Sequence, residues 1–308
     1  MTVPTLENNL IIGTAPDSWG VWFAEDEQQT PWQRFLDEVA EAGYKWIELG
    51  PYGYLPANPE TLARELKERD LSISAGTVFT AFHRGADQWD TAWEPARQVA
   101  ELTAAMGAHH VVVIPALWRD DKTGEALEER TLTEQQWEDL AAGHDKLGQR
   151  LQREFGLYQQ FHSHADSHVE TMEQIEKFLA MTDPKLVTLC LDTGHAEYGG
   201  ASSVELIEKY PERIGYLHLK QVHPDTLAKV RAEDMTFKDA TAAGVMCEPP
   251  YGLPDLREVI EAAEKLGRPL YGIVEQDMYP VANLDVPLPI ASRTCKYLLR
   301  CGSRTVVA

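Results

Sequence analysis

Short apolar, β-branched runs recur along the chain: NLIIGTAP (9–16), YKWIELG (44–50), LSISAGTVF (71–79), HHVVVIPA (109–116), LYQQFHSH (157–164), VTLCLDTGH (187–195), RIGYLHLKQV (213–222) and PLYGIVEQD (269–277). Between them lie segments with helical spacing, such as PWQRFLDEVAEAG, where Trp32, Phe35, Leu36, Val39 and Ala40 fall on one face. TEQQWEDLAAGHDKLGQRLQREFG and LREVIEAAEKLG read the same way. Gly43, Gly107, Gly156 and Gly267 stand where a left-handed C-cap would close a helix.

Strands that alternate with helices pair in parallel through right-handed crossovers, because a parallel neighbour is reached only by a long connection. Eight repeats predict a closed (β/α)8 TIM barrel. The rival is an open doubly wound sheet, which usually places a glycine-rich phosphate turn after its first strand; here that position reads TAPDSWG. Barrels of this length commonly form one domain, and no Pro/Gly/Ser-rich linker divides the 308 residues. Residues 1–308 are therefore read as a single TIM-barrel domain. Irregular stretches are expected at 80–95, 117–130, 223–253 and 278–289. The longest follows strand seven and contains CEPPYGLPD, which reads as a rigid loop over the barrel mouth.

Hydrophobic residues at 44% and charged residues at 25% place the chain among globular proteins. Its net charge of −21 repels phosphate backbones and anionic lipid, so neither nucleic acid nor a membrane is an expected partner. The opening MTVPTLENNL lacks a basic region followed by a long apolar core, and no later run is long enough to span a bilayer. A cytoplasmic location is the resulting expectation. Cys190, Cys247, Cys295 and Cys301 show no C-x-x-C spacing and read as reduced packing residues.

Active sites of such barrels sit at the C-terminal ends of the strands. Strand six ends in Asp192 and His195, strand seven carries His218 and Lys220, and strand eight ends in Glu275, Gln276 and Asp277. A single Asp at a strand end is an ordinary helix cap, and a lone His in an apolar strand an ordinary hydrogen-bonded core residue. Acid, histidine and acid on three consecutive strands instead form an oxygen and nitrogen set suited to Mn²⁺, Mg²⁺, Co²⁺ or Zn²⁺.

Strand five ends in HSHADSHVE (162–170), which has neither a cysteine nor a helical H-x-x-x-H spacing and is not a structural zinc motif. His162 and His164, two apart on a strand, point to one face. His168 reads as local structure. Glu170 either reaches back to the ion or favours a helix N-terminus electrostatically. After strand one, Asp17, Trp19 and Trp22 form either a wall for a hydroxylated ligand or part of the core. Glu48 is expected behind the ligands or on substrate, and Glu248 of the CEPPYG loop is a weaker ligand-contact candidate.

At HSHADSHVE, LCLDTGHAEYGG, IGYLHLKQV and IVEQD, in this order, the chain resembles the xylose isomerase-like TIM barrel superfamily. Within it, the resemblance is to the sugar phosphate isomerase/epimerase group and its inosose dehydratase-like branch, from IIGTAPDSWGVW to IVEQDMYP. The group typically holds one divalent ion through Glu, Asp, His and Glu from strands five to eight. The matching residues here are Asp192, His218 and Glu275. Many relatives carry a glutamate where this chain has His162, so the resemblance carries the fourth ligand to Glu170 of HVE, with His162 or His164 as fallback. The ion it implies is Mn²⁺ first, with Co²⁺, Mg²⁺ or Zn²⁺ as alternatives.

The implied reaction is β-elimination from a keto-cyclitol or keto-sugar: α-proton abstraction, a metal-stabilised enediolate, then expulsion of a leaving group. His164 is the candidate acid or base, His162 a second candidate for the same proton transfer, and Glu275 a ligand able to shuttle a proton. The imidazole pair is expected to work near neutral pH. Lys220, His195, Trp19, Glu48 and Glu248 are the candidate substrate contacts. The alternatives are a ketose isomerase or epimerase using the same enediolate, the large subunit of a C-glycoside deglycosidase with a small β-sandwich partner, and a sugar-binding barrel without chemistry. An endonuclease IV-like phosphodiesterase would need more early-strand ligands and a basic face. Association into homo-oligomers is expected from relatives of the fold.

Overall fold

The computed structural model describes residues 9–120, 123–281 and 283–305. Eight parallel strands close into a barrel, with two short strands outside it. In chain order they are β1 (Leu10–Thr14), β2 (Trp46–Glu48), β3 (Ser72–Thr80), β4 (His110–Pro115), β5 (Tyr158–His162), β6 (Val187–Asp192), β7 (Ile214–Leu219), β8 (Gln221–Val222), β9 (Met246–Cys247) and β10 (Leu270–Val274). The barrel order is β1-β10-β7-β6-β5-β4-β3-β2, closed by the β1–β2 pair at Thr14 and Ile47. Each barrel strand coincides with one of the apolar runs, β3 alone extending one residue beyond its run to Thr80, as the alternating pattern predicts.

The helices follow from the same pattern. They are α1 (Trp32–Ala42), α2 (Pro59–Glu68), α3 (Gln88–Ala105), α4 (Glu134–Phe155), α5 (Met172–Met181), α6 (Thr193–Gly199), α7 (Ser203–Lys209), α8 (Pro224–Glu233), α9 (Phe237–Ala242), α10 (Leu256–Glu264) and α11 (Pro287–Arg300). In α1 the apolar stripe buries Phe35, Leu36 and Val39 completely, each burial worth roughly 1.5–3 kcal/mol. Thr133 and Thr171 start α4 and α5 with reciprocal capping boxes to Gln136 and Gln174. Gly156 ends α4 at φ 68°, a left-handed conformation that costs a residue with a Cβ.

Barrel registers fix the site. Asp192 on β6 lies beside His218 on β7, and His162 on β5 beside Cys190 on β6. Cys190, Tyr216 and Ile273 form a buried layer inside the barrel. Two residues further along each strand come Asp192, His218 and Glu275, so the period-2 alternation turns those side chains inward one layer higher, at the rim.

The stretch 223–253 is not the irregular loop the sequence suggests. It holds α8, α9 and β9, and β9 pairs antiparallel with β8. Leu227, Val230, Phe237, Ala240, Val245 and Met246 bury one another there, with Ala165 and Tyr198 from neighbouring segments, in a cluster apart from the main core. The patterning missed these elements because α9 and β9 are short and α8 buries only Leu227 and Val230, too few to mark an apolar face. Residues 1–8, on which the reading of the chain's start rests, lie outside the described residues. No helix among the described residues is long and apolar enough to cross a membrane.

Candidate active site

A pocket of about 320 Å³ opens at the C-terminal rim of the barrel. Of the residues singled out from the sequence, Asp17, Trp22, Glu48, His162, His164, His195, His218, Lys220, Glu275 and Asp277 line it. At its floor His162, Asp192, His218 and Glu275 are all buried, and a ligand atom from each lies within 4.8 Å of the other three.

The geometry of His218 bears on what this group could hold. Its Nε2 is 2.8 Å from Glu48 Oε1, and a carboxylate can only accept, so Nε2 carries the proton of the neutral ring. Nδ1 then presents its lone pair inward, 2.9 Å from Glu275 Oε2 and 3.6 Å from Asp192 Oδ2, with no hydrogen-bond partner. A buried lone pair aimed between two carboxylates is the arrangement of a metal-ligating imidazole oriented from behind. His162 Nε2 approaches Asp192 Oδ2 at 3.2 Å from the neighbouring strand. Two imidazoles and two carboxylates thus fit a divalent ion.

Charge balance in the protein alone points the same way. Glu48, Asp192, Glu275 and Asp277 are buried around one lysine, Lys220, whose Nζ lies 3.1 Å from Asp192, 3.0 Å from Glu275 and 2.7 Å from Asp277. Burial by itself would lower the His218 imidazole, but Cys190, Glu275 and Glu48 outweigh it and hold the ring well above the ordinary histidine range, so in the ion-free protein a second proton occupies the place at Nδ1 that an ion would take. Burial would likewise raise the Glu275 carboxyl, yet His218 and Lys220 bring it down to about 2. The cluster therefore calls for more positive charge than one lysine supplies.

LCLDTGH can be followed residue by residue. Asp192 caps α6, its Oδ1 accepting from His195 N at 2.8 Å, which leaves Oδ2 for the cluster. Thr193 Oγ1 donates to the Lys220 carbonyl and accepts from Lys220 N, tying α6 to the end of β7. Gly194 leaves space for the lysine stem; a Cβ there would stand 2.6 Å from Lys220 Cγ. His195 Nδ1 accepts from Ala165 N at 3.0 Å, and its ring lies 3.9 Å from that of His164.

His164 Nδ1 lies 2.7 Å from the Ala165 carbonyl oxygen and so carries the proton, which leaves Nε2 as a base. Burial, then His162, pushes this imidazole down to about 3. Against the expectation of an imidazole working near neutrality, burial disfavours the charged form of His164.

Three further expectations are not met by the geometry. Glu170 does not join the cluster: its Oε2 pairs with Arg130 at 3.0 Å, because the turn through Asp166 at φ 59° redirects the chain between His164 and Glu170, and His162 lies beside the other three instead. Trp19 is completely buried, its Nε1 donating to Glu38 on α1 at 2.7 Å and its ring edge-on to Phe35, so it belongs to the core. Glu248 pairs with Arg293 of α11 at 2.7 Å, outside the pocket lining; Phe237 of α9 is the residue from 223–253 that reaches the pocket. Trp22 stacks between Phe237 and Tyr279, forming an aromatic wall from the segment after β1, α9 and the segment after β10. Phe237 gave no sequence signal beyond the length of its segment.

Fold and site define one class: the chain belongs to the xylose isomerase-like TIM barrel family, whose profile matches residues 36–276. Among curated proteins it is 31% identical over 288 residues to the inosose dehydratase of Geobacillus kaustophilus (strain HTA426), covering 89% of each chain. It is 30% identical over 306 residues to the inosose dehydratase of Geobacillus thermodenitrificans (strain NG80-2), covering 96% of this chain and 99% of that one. A solved structure of the IolI protein with a bound zinc atom shares the fold at TM-score 0.71 and 16% identity, over 94% of this chain and 98% of that one. The resemblance read from the motifs is thereby met, as is the expectation of an enzyme.

Proposed function

We propose that the protein is a metal-dependent lyase that removes water from a keto-cyclitol of the inosose class. The observation that carries this reading is His164 Nε2, an unprotonated base at the mouth of a buried two-histidine, two-carboxylate group. Full-length relatives named inosose dehydratase support it.

His162, Asp192, His218 and Glu275 would hold the ion, with Mn²⁺, Co²⁺, Mg²⁺ and Zn²⁺ all compatible with the donors. A divalent ion there supplies Lewis acidity, which polarises a ketone and acidifies the neighbouring C–H. His164 Nε2 takes the α-proton, and the electrons of that C–H bond form the new C=C as the β-hydroxyl departs. The same Nε2 returns the proton to the departing oxygen, so water leaves and the base is restored. Lys220 Nζ offers its charge to the oxygen that gains density, and the Trp22 and Phe237 rings cover the ring face and limit water. A small soluble sugar-like substrate fits a cytoplasmic setting.

The test is incubation of the metal-loaded protein with inosose in D₂O. Loss of one water with growth of enone absorbance supports the lyase. A product of unchanged mass with exchanged α-hydrogen makes the enzyme an epimerase or isomerase instead, and neither change rejects both.

A further inference from the structure

Away from the pocket floor, three more side chains converge. His83 sits on the tight turn Phe82–Arg84 after β3, Glu128 in the segment after β4, and His168 in the connection from β5 to α5. One ligand atom from each lies within 4.8 Å of the other two. His83 Nε2 is 3.0 Å from both Glu128 oxygens, and His168 Nε2 is 3.5 Å from Glu128 Oε1. Both histidines are essentially closed to solvent, at 1% and 2% exposure.

The protonation pattern leaves a gap. His168 Nδ1 is 2.9 Å from the Arg130 carbonyl oxygen, which can only accept, so the proton of the neutral ring is on Nδ1. Its Nε2 is then a bare lone pair, buried, without a hydrogen-bond partner and turned toward a carboxylate. His168 Nε2 and the Glu128 carboxylate thus face each other as lone pairs, whereas His83 Nε2 carries its proton toward the same carboxylate in the ion-free protein and would exchange that proton for the ion. Arg84 bonds Glu128 at 3.0 Å but leaves His168 Nε2 unpaired, and with 42% exposure it can turn away into solvent.

Ala116 N donates to the Thr80 carbonyl at 2.7 Å, tying the end of β4 to the end of β3 where the His83 turn begins, and the segments carrying Glu128 and His168 are tied to each other. Trp118 N donates to the Asp166 carbonyl at 2.9 Å, Glu128 N donates to the Trp118 carbonyl at 3.2 Å, and Leu117 bridges to Ser167. A buried ion pair of 2.8 Å between Arg119 and Asp166 locks the same two segments. The donor atoms are thus presented by a fixed frame, as a metal site requires.

We propose that His83, Glu128 and His168 form a second metal site that takes Zn²⁺ through two imidazole nitrogens and one carboxylate oxygen. Such a set, with water in the fourth position, matches the preference of Zn²⁺ for tetrahedral nitrogen and oxygen ligands. The ion would clip the loops after β3, β4 and β5 together. The site is independent of the reaction proposed above.

Zinc titration of the full-length, chelator-stripped protein tests it. Wild type should take two Zn²⁺ per chain, the pocket variant D192N/H218Q one, and the loop variant H83Q/H168Q one. Within D192N/H218Q, adding Glu128→Gln should weaken the remaining site by at least about 100-fold. Glu128→Gln keeps the size of the side chain and decides the matter should H83Q/H168Q fail to fold by circular dichroism. Absence of zinc binding by D192N/H218Q, or binding unaffected by Glu128→Gln, overturns the site.

Discussion

His218 and Glu48 meet at 2.8 Å through Nε2, and that one hydrogen bond decides which nitrogen faces Asp192 and Glu275. The carboxylate lies across the barrel on β2, yet it sets the tautomer of a residue on β7. Glu48→Ala should therefore weaken metal binding by about 10- to 100-fold while His162, Asp192, His218 and Glu275 stay in place. Glu48→Gln, which can present its amide oxygen to the same N–H, should lose less. Titration of stripped protein with Mn²⁺ or Zn²⁺ measures both.

His162 and Glu170 separate two accounts of the fourth ligand. His162→Asn should lose metal and turnover together, whereas Glu170→Gln should keep both, because that carboxylate serves Arg130. Metal content by elemental analysis beside initial rates gives the answer, and metal loss in Glu170→Gln with retention in His162→Asn would sink the assignment.

Gly194 offers a way to move Lys220 without changing its charge. An alanine Cβ would meet Cβ, Cγ and Cδ of the lysine stem at 2.6–2.9 Å. Overpacking of this kind costs about 1–3 kcal/mol. A displaced ammonium lowers kcat by up to about 100-fold. Melting temperature and kcat for Gly194→Ala should fall together, with metal still bound.

His144 predicts an acid limit to stability. Its ring is enclosed edge-on by Phe82, Phe161 and Phe178, and burial pushes it down to about 4 from an ordinary value of 6.5. The folded value lies below the unfolded one, so its contribution is fully present above about pH 6.5 and is lost as pH falls toward 4. The linkage amounts to roughly 3 kcal/mol. Urea midpoints from pH 7 to 4.5 should fall less steeply in His144→Leu than in wild type.

The barrel was legible because each strand carries an apolar, β-branched run and each long helix a stripe with a recognisable stop, as at Gly156. Asp192, His218 and Glu275 were legible because polarity appears abruptly at the ends of apolar strands. The place of Glu170 was not, since a turn with Asp166 at φ 59° redirects the chain between His164 and Glu170, and nothing in HSHADSHVE announces that angle. Trp19 and Trp22 look alike in APDSWGVW; one turns toward Glu38 and the other toward Phe237, a difference set by the tight turn Pro16–Trp19 and by Gly20. His83 and Glu128 are 45 residues apart and carry no shared motif, so only the folded loops reveal their meeting.

The small hydrophobic cluster built by α8, α9 and β9 stands apart from the main core while Phe237 belongs to both cluster and pocket wall. A unit with its own core can open on its own, at a lower free energy than global unfolding. Amides of 224–247 should then exchange with deuterium faster than those of β6 and β7. A ligand seated against Phe237 should slow that exchange selectively, so occupancy of the pocket would be recorded in the breathing of a segment that contributes a single side chain to it.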